Sequence, residues 1–436
     1  MSVRPDRRKF LKRVVGGSLA VTCGGFFSEA AGARQKPSSE KLNIGAIGVA
    51  NRGSVNIDNV SGENLVALCD VDERFLGEMA QRYPRAKTFH DFRKLLEQSN
   101  LDAIVISTPD HTHAQIAVMA MRRGLHVYCE KPLAHCVHEV RLVQRVAEEQ
   151  KVVTQMGNQH HASDGYRRAM ELIGSGVIGA VKEVHAWSNR PIWPQGIERP
   201  GDEPPVPKYL HWDLWLGPAP PRPYHAAYHP LNWRGWWDFG CGALGDMGPH
   251  LIDPAFAALK LTYPETVEAE SSPVNDETAP QWSIVRFEFP ARGAMPPVQM
   301  AWYDGGKQPP QSVTGVRRPP PNGCMLIGER AKLFYADLGG RPILIPNIKG
   351  ERVEVPISSL PVTPSHHQQW IDACKTGGPT SSDFSYGGRL TETCLLGNVA
   401  IRTGKRLQWN AETMTVTNCP EAAAYIRRRY RSGWEL

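Results

Sequence analysis

Leu42-Asn43-Ile44-Gly45-Ala46-Ile47-Gly48-Val49-Ala50-Asn51-Arg52-Gly53 is the stretch on which the reading of this chain turns. An apolar run of strand character ends in a glycine-punctuated turn. Gly45, Gly48 and Gly53 are spaced so that residues 48–53 match Gly-x-Gly-x-x-Gly, with Ala50 in the middle slot. In such a turn one glycine allows the tight bend, a second lets backbone approach a pyrophosphate, and a third lets helix and strand pack. Alanine at the middle position takes up one methyl of that clearance. The next apolar run ends at Asp70, 17 residues beyond Gly53. A carboxylate there can accept hydrogen bonds from the ribose hydroxyls of an adenosine and repels a 2′-phosphate. The stretch therefore predicts a dinucleotide site of Gly45, Gly48, Ala50, Asn51, Arg52, Gly53 and Asp70, with NAD favoured over NADP.

Outward from this turn, short apolar runs alternate with helical patterns as far as Gly157. Leu42–Ile47, Asn64–Cys69, Ala103–Ser107, His126–Cys129 and Val152–Met156 read as strands; Glu73–Tyr83, His113–Arg123 and Val137–Gln150 read as helices. Strand–helix alternation at this spacing predicts a parallel sheet covered on both faces. The expected fold is α/β: an N-terminal Rossmann-type doubly wound sheet over 41–157, then an α+β domain over 158–436 with a large, mostly antiparallel sheet. Strands of that second sheet are expected at Ala180–Trp187, Thr266–Glu270, Gln281–Phe289, Val298–Trp302, Gly323–Gly328 and Lys332–Ala336. A late helix at Leu390–Thr403 is placed to pack back on the first domain. Pro191 to Pro230 reads as a long structured loop, because its dense aromatics need burial.

The 436 residues are 41% hydrophobic and 22% charged, with net charge +6. That charge sits in residues 1–36, which hold eight Lys/Arg and two acids; the remainder carries 42 of each sign. The basic balance therefore gives no argument for nucleic-acid binding. Residues 1–36 have the three parts of an export leader: Arg7-Arg8-Lys9-Phe10-Leu11-Lys12, an apolar stretch Val14–Phe27 too short to span a bilayer, and small residues at Ala31-Gly32-Ala33. Twin arginines directly before Lys-Phe-Leu-Lys predict export of a folded protein to the periplasm. Cys23 follows a poor lipidation motif. The nine cysteines show no Cys-x-x-Cys, which argues against a disulfide framework or a zinc site, and no metal is expected.

Two further motifs lie at the carboxyl ends of predicted strands, where ligands of such sheets bind. Thr108-Pro109-Asp110-His111-Thr112-His113 follows one strand; its residues either line the cofactor or cap the next helix. Glu130-Lys131-Pro132-Leu133-Ala134 follows the next, aiming a lysine at the same crevice. In the second half, Gly242-Ala243-Leu244-Gly245-Asp246-Met247-Gly248-Pro249-His250-Leu251-Ile252-Asp253 places an acid four residues before a histidine. Together these motifs resemble the Gfo/Idh/MocA oxidoreductase family, typified by glucose–fructose oxidoreductase and inositol dehydrogenase. The ending, Thr417–Pro420 through Tyr430–Trp434, is similar to exported members from sugar-degrading bacteria. The chain departs from the family pattern at Ala50 and at Asp110, where asparagine is commoner.

The resemblance implies a cofactor site that also takes in Thr108, Pro109, His111, His113, Glu130 and Lys131, and a catalytic set of Lys131, Asp246 and His250. Oxidising a sugar hydroxyl requires loss of a hydride from carbon and of a proton from oxygen. Histidine suits the proton, and a lysine can stabilise developing alkoxide charge. Gln159, Tyr166, Trp233, Arg234, Asp253 and Tyr303 are the substrate-binding candidates, with His229 nearby. Export away from free nicotinamide implies an NAD held tightly and recycled internally. Three readings follow: a sugar oxidoreductase, a redox-neutral glycosidase working by oxidation, elimination, hydration and reduction, and a non-catalytic sugar-binding protein. The Glu130-Lys131-Pro132 motif favours the first. A carbohydrate is the expected partner, and self-association through the second sheet is expected as well.

Overall fold

The computed structural model describes residues 40–315, 317–336, 339–348, 354–355, 357–358 and 363–436. The twin-arginine and Cys23 expectations lie outside these residues.

Six parallel strands form the first sheet: β1 (Asn43–Ile47), β2 (Asn64–Cys69), β3 (Lys87–Phe89), β4 (Ala103–Ile106), β5 (His126–Glu130) and β6 (Thr154–Gly157), in the order β3-β2-β1-β4-β5-β6. β4 is buried at every residue, as expected of a strand covered on both faces. The order reverses between β1 and β4, which opens a crevice beyond their carboxyl ends. β3 was not anticipated: it has three residues, two of them exposed, and shows no apolar run.

The second sheet has nine strands: β7 (Val181–Trp187), β8 (Thr266–Ser271), β9 (Ser283–Phe289), β10 (Val298–Tyr303), β11 (Gly323–Gly328), β12 (Ala331–Ala336), β13 (Pro342–Pro346), β14 (Leu407–Asn410) and β15 (Thr415–Val416). Their order is β13-β12-β11-β7-β10-β9-β8-β14-β15. Only the β7–β10 pair is parallel among the described pairings. The sheet is thus mostly antiparallel, with β9 alternating inward Val285, Phe287 and Phe289 with half-exposed Ile284, Arg286 and Glu288. β13, β14 and β15 extend the sheet beyond the strands read from sequence.

The late helix runs Phe384–Thr403, six residues earlier than the pattern suggested. Asp383 caps its start by accepting from Tyr386 N. Gly387 and Gly388 conceal this beginning from a propensity reading. Both sit against other elements: an added Cβ would fall 2.8 Å from Met156 and 2.5 Å from Gln144. The helix packs on helix Val137–Gln150, where Arg141 pairs with Glu392 and Leu133 N donates to Thr391 Oγ1 at 3.1 Å. The eight described cysteines are all free and buried. Among the described residues no helix is long and apolar enough to cross a membrane.

Candidate active site

A cleft of about 380 Å³ lies at the carboxyl edge of the first sheet and runs toward helix Gly242–Leu251. Its volume is in the range of small-molecule sites. One end is built by the β1 turn. Gly48 has φ +79, and a Cβ there would lie 2.6 Å from Ser107 O, so only glycine lets this turn cross the end of β4. Ala50, Asn51 and Arg52 line the cleft. Their backbone N–H groups, at the start of helix Arg52–Val60, find no acceptor among the described residues. Such orphan donors at a helix N-terminus suit an anion. Asp70 closes this end: its carboxylate accepts from Val49 N at 2.9 Å and Asp72 N at 3.0 Å. Burial pushes its pKa up to about 6, against the pull of those two N–H groups. An orphan-donor turn followed by a strand-end carboxylate fits a dinucleotide.

The other end carries the charged groups. Lys131 follows β5, and its Nζ donates to Asp246 Oδ1 at 2.8 Å and Asp246 O at 2.7 Å. Arg234 Nε stands 3.5 Å from the same carboxylate oxygen. Burial would raise the Asp246 pKa, but Lys131 and Arg234 outweigh it and hold it at about 2. The segment left open between helix and turn is a helix, so Asp246 and His250 share a face one turn apart. His250 lines the cleft and its Nδ1 has no hydrogen-bond partner among the described residues. Burial, then Lys131 and His160, push its pKa well below 6.5, so the imidazole is neutral.

Thr108, Pro109, Glu130, Trp233 and Arg234 also line the cleft. Arg234 lies over the Trp233 ring, 4.3 Å from its centroid. Glu130 is a support as much as a lining group: its Oε1 accepts from Asn56 Nδ2 at 2.9 Å and from Gln159 Nε2. Asn56 in turn donates to Ser107 Oγ, and its Oδ1 meets His367 Nε2 at 3.0 Å.

Several sequence-predicted residues do not reach the cleft wall. Gly45 lies inside β1, packed against Ile104, Leu95 and Leu101, and Gly53 packs its helix on the Gly48 carbonyl. His111 and His113 are fully buried braces rather than lining groups. The His111 ring sits between the Trp215 and Phe239 carbonyls, and the His113 ring between those of Pro132 and Thr108, 2.8 Å from each. Gln159 is turned to Glu130 and Tyr128. Asp253 is enclosed by Asn158, His161 and Tyr386, and the Tyr166 ring lies tilted against His161, with 4.3 Å between centroids. Tyr303 projects to the other side of the second sheet, where its hydroxyl meets His185 Nδ1 at 3.0 Å.

The cleft also contains groups the sequence did not single out. Arg190, Trp193 and His160 line its mouth, and the His160 ring lies 5.4 Å from that of His250. Asp110 was noted only as a departure from a pattern. It is 5% exposed and lines the cleft, and its Oδ2 accepts from Cys241 N at 3.2 Å. Burial pushes its pKa up to about 7, partly offset by Lys131 and Arg234 and reinforced by Asp246. A carboxylate beside a strand-end Thr-Pro was the available signal.

Residues 42–158 match the model of an oxidoreductase family with an NAD-binding Rossmann fold, and residues 171–295 match that family's C-terminal alpha/beta domain. Inositol 2-dehydrogenase from Rubrobacter xylanophilus is 30% identical over 154 residues, covering 34% of this chain and 44% of that protein. Levoglucosan dehydrogenase from Pseudarthrobacter phenanthrenivorans is 25% identical over 190 residues, 43% of this chain and 40% of that protein. The chain thus spans less than half the length of these curated relatives. Among solved structures, the WlbA dehydrogenase of Chromobacterium violaceum, in complex with NADH and UDP-GlcNAcA, superimposes with TM-score 0.63 at 14% identity, covering 87% of this chain and 99% of its own. A levoglucosan dehydrogenase in complex with NADH and L-sorbose gives TM-score 0.59 at 16% identity over 84% and 98%. These likenesses agree with the two-sheet architecture, and the two consecutive family matches take in both halves of the cleft: the chain belongs to the Gfo/Idh/MocA oxidoreductase family.

Proposed function

We propose that the protein is a dehydrogenase of a sugar or sugar derivative, with Lys131, Asp246 and His250 as its proton-handling set. The observation that carries this reading is the meeting of Lys131, Asp246 and an unpartnered His250 nitrogen in one cleft with the β1 turn. Bound along that turn, a nicotinamide dinucleotide supplies the hydride acceptor. Neutral His250 takes the hydroxyl proton, while Lys131 stabilises charge on the substrate oxygen. Asp246 holds the Lys131 ammonium in place, and Arg234 keeps that carboxylate ionised. Trp193 and Trp233 offer aromatic faces to the apolar side of a sugar ring. The expected result with purified protein is substrate-dependent reduction of dinucleotide by a sugar or polyol. In His250→Ala that turnover falls by about 10²-fold or more while dinucleotide stays bound; unchanged turnover contradicts the assignment.

The cofactor reading extends to NAD over NADP, because Asp70 at the adenosine end repels a 2′-phosphate. We also propose export by the twin-arginine leader to the periplasm with the dinucleotide already bound. Tight retention is supported by the wall that Leu214 and Trp215 form and by how the segment before them is anchored. The segment around Leu210 is stitched to the end of β2 by Glu73 N→Tyr209 O and His211 N→Val71 O, both 2.9 Å. The C-terminal residues add Trp434 to the cleft wall and are held by Arg431, which donates to Gly217 O at 2.9 Å. Self-association through the second sheet is part of the proposal, with Ile284 and Ile327 as the half-exposed apolar groups on the side that Tyr303 faces.

A redox-neutral glycosidase is the second reading, and Asp110 is the observation that favours it. Transient oxidation of a sugar hydroxyl acidifies the neighbouring C–H. A second acid–base group must then take that proton as the glycosidic substituent leaves. Water adds to the resulting double bond, and the hydride returns. Asp110, with a pKa near neutrality and beside the first set, suits the C–H proton. Release of the aryl group from aryl glycosides without added cofactor or net reduction supports this reading; net accumulation of reduced dinucleotide contradicts it.

A further inference from the structure

Three side chains that the proposed chemistry does not use meet at the rim of the cleft on the Asp70 side. Glu73 opens helix Glu73–Arg82, His90 follows β3, and His211 precedes helix Trp212–Leu216. One potential ligand atom from each lies within 4.8 Å of the other two. The two imidazoles stack, with centroids 4.1 Å apart and planes at 30°, and His211 Nε2 is 3.2 Å from Glu73 Oε1.

Backbone contacts make this meeting a fixed one. Glu73 N donates to Tyr209 O, His211 N donates to Val71 O, and Asp72 bridges Leu210. His90 Nδ1 lies 3.1 Å from the Asp70 carbonyl oxygen. That carbonyl can accept from Nδ1–H, which leaves Nε2 as the ligand atom, the second-sphere arrangement that metal-ligating histidines use. Arg74 adds no uncompensated positive charge, because it forks onto Asp72 with contacts of 3.0 and 2.7 Å.

We propose that Glu73, His90 and His211 form a binding site for a divalent transition-metal ion of the zinc class. Two imidazoles and one carboxylate suit zinc, whereas magnesium and calcium call for oxygen ligands and copper(I) for sulfur. Tetrahedral zinc places its ligand atoms about 3.3 Å apart; His211 Nε2 and Glu73 Oε1 already stand 3.2 Å apart, and the His90 atom closes by about 1.5 Å at most on metal binding. Glu73 is exposed and both histidines are half-buried, which allows that adjustment and lets an ion enter from solvent. The fourth coordination position is left to water. The sequence argued against zinc from cysteine spacing; these ligands come from three separate segments and leave no local motif. The ion ties the segment before Trp212 to the end of β2 and so fastens the cleft wall that Leu214 and Trp215 form. Slower loss of dinucleotide is the consequence, and that consequence alone rests on the cofactor reading above.

The test is zinc and cobalt(II) titration of the full chain, without a histidine tag and after chelator treatment. Binding of one ion per chain is expected, with the visible absorption of four-coordinate cobalt. His90→Ala and His211→Ala should each weaken it by about tenfold or more, and His225→Ala should leave it unchanged. Absence of zinc binding overturns the proposal, as does equal binding in the double variant His90→Ala/His211→Ala. Glu73→Gln decides the matter if the double variant misfolds, since the amide keeps the contact with His211 and loses the anionic ligand: weaker zinc binding supports the site, unchanged binding overturns it. Metal is measured directly, so failure of the cofactor reading would leave this result legible.

Discussion

Asp110, Lys131, Arg234 and Asp246 form a group of two acids and two bases whose members control one another. Lys131 and Arg234 hold Asp246 ionised, while Asp110, buried and accepting from Cys241 N, stays protonated up to about pH 7. A carboxyl with a folded pKa of about 7 against an ordinary value of 3.8 costs stability as pH rises between those values. Asparagine at 110 keeps the acceptor for Cys241 N and does not titrate. Asp110→Asn is therefore expected to gain thermal stability relative to the parent between pH 5 and pH 8, read as the melting midpoint at each pH. An equal difference at both pH values would show that Asp110 is not held protonated. Lys131, Asp246 and His250 were suggested by motifs because each stands beside a glycine or proline: Pro132, Gly245 and Pro249. Tyr303 and Asp253 stand away from the cleft wall for reasons that the sequence does not display. The sheet face on which a strand-end side chain falls depends on register, and the reach of Asp253 depends on Tyr386, distant in sequence.

At the scale of elements, the cleft depends on close approaches. β1 and β4 can adjoin at their ends only because residue 48 has no side chain and a positive φ. Gly48→Ala is expected to destabilise the protein by about 1–3 kcal/mol and to strip it of dinucleotide; denaturant titration and cofactor content measure the two effects. The C-terminal residues form a second such element. Trp434 is 8% exposed and lies against Phe92, with ring centroids 6.0 Å apart, while Arg93 covers its ring at 4.4 Å. Trp434→Ala should speed dinucleotide release several-fold with little change in turnover, measured by transfer to a cofactor scavenger. The strand–helix alternation of the first half was readable because parallel strands are buried apolar runs. β3, β14 and β15 were not, since short, half-exposed edge strands carry no such signal.

For the whole molecule, both halves build the cleft: the first carries the NAD-binding Rossmann fold, and in the second helix Gly242–Leu251 brings Asp246 and His250 to it. The side of the second sheet away from the cleft carries Trp187, Tyr303, Met325 and Phe334, bordered by half-exposed Ile284 and Ile327. If the proposed self-association uses this side, replacing Ile284 and Ile327 by aspartate shifts the sedimentation of the protein toward monomer; no shift contradicts that proposal. Arg7-Arg8 and the β1 turn together frame the account. An exported dinucleotide enzyme must carry its cofactor with it and regenerate it on site. The measurement that bears on this most directly is the absorbance of the purified, full-length protein during addition of candidate sugars, with no dinucleotide supplied. The account predicts a resident oxidised dinucleotide, about one per chain, that is transiently reduced by substrate in the parent and not in His250→Ala. A protein that purifies without dinucleotide and gains activity only when dinucleotide is supplied would contradict it.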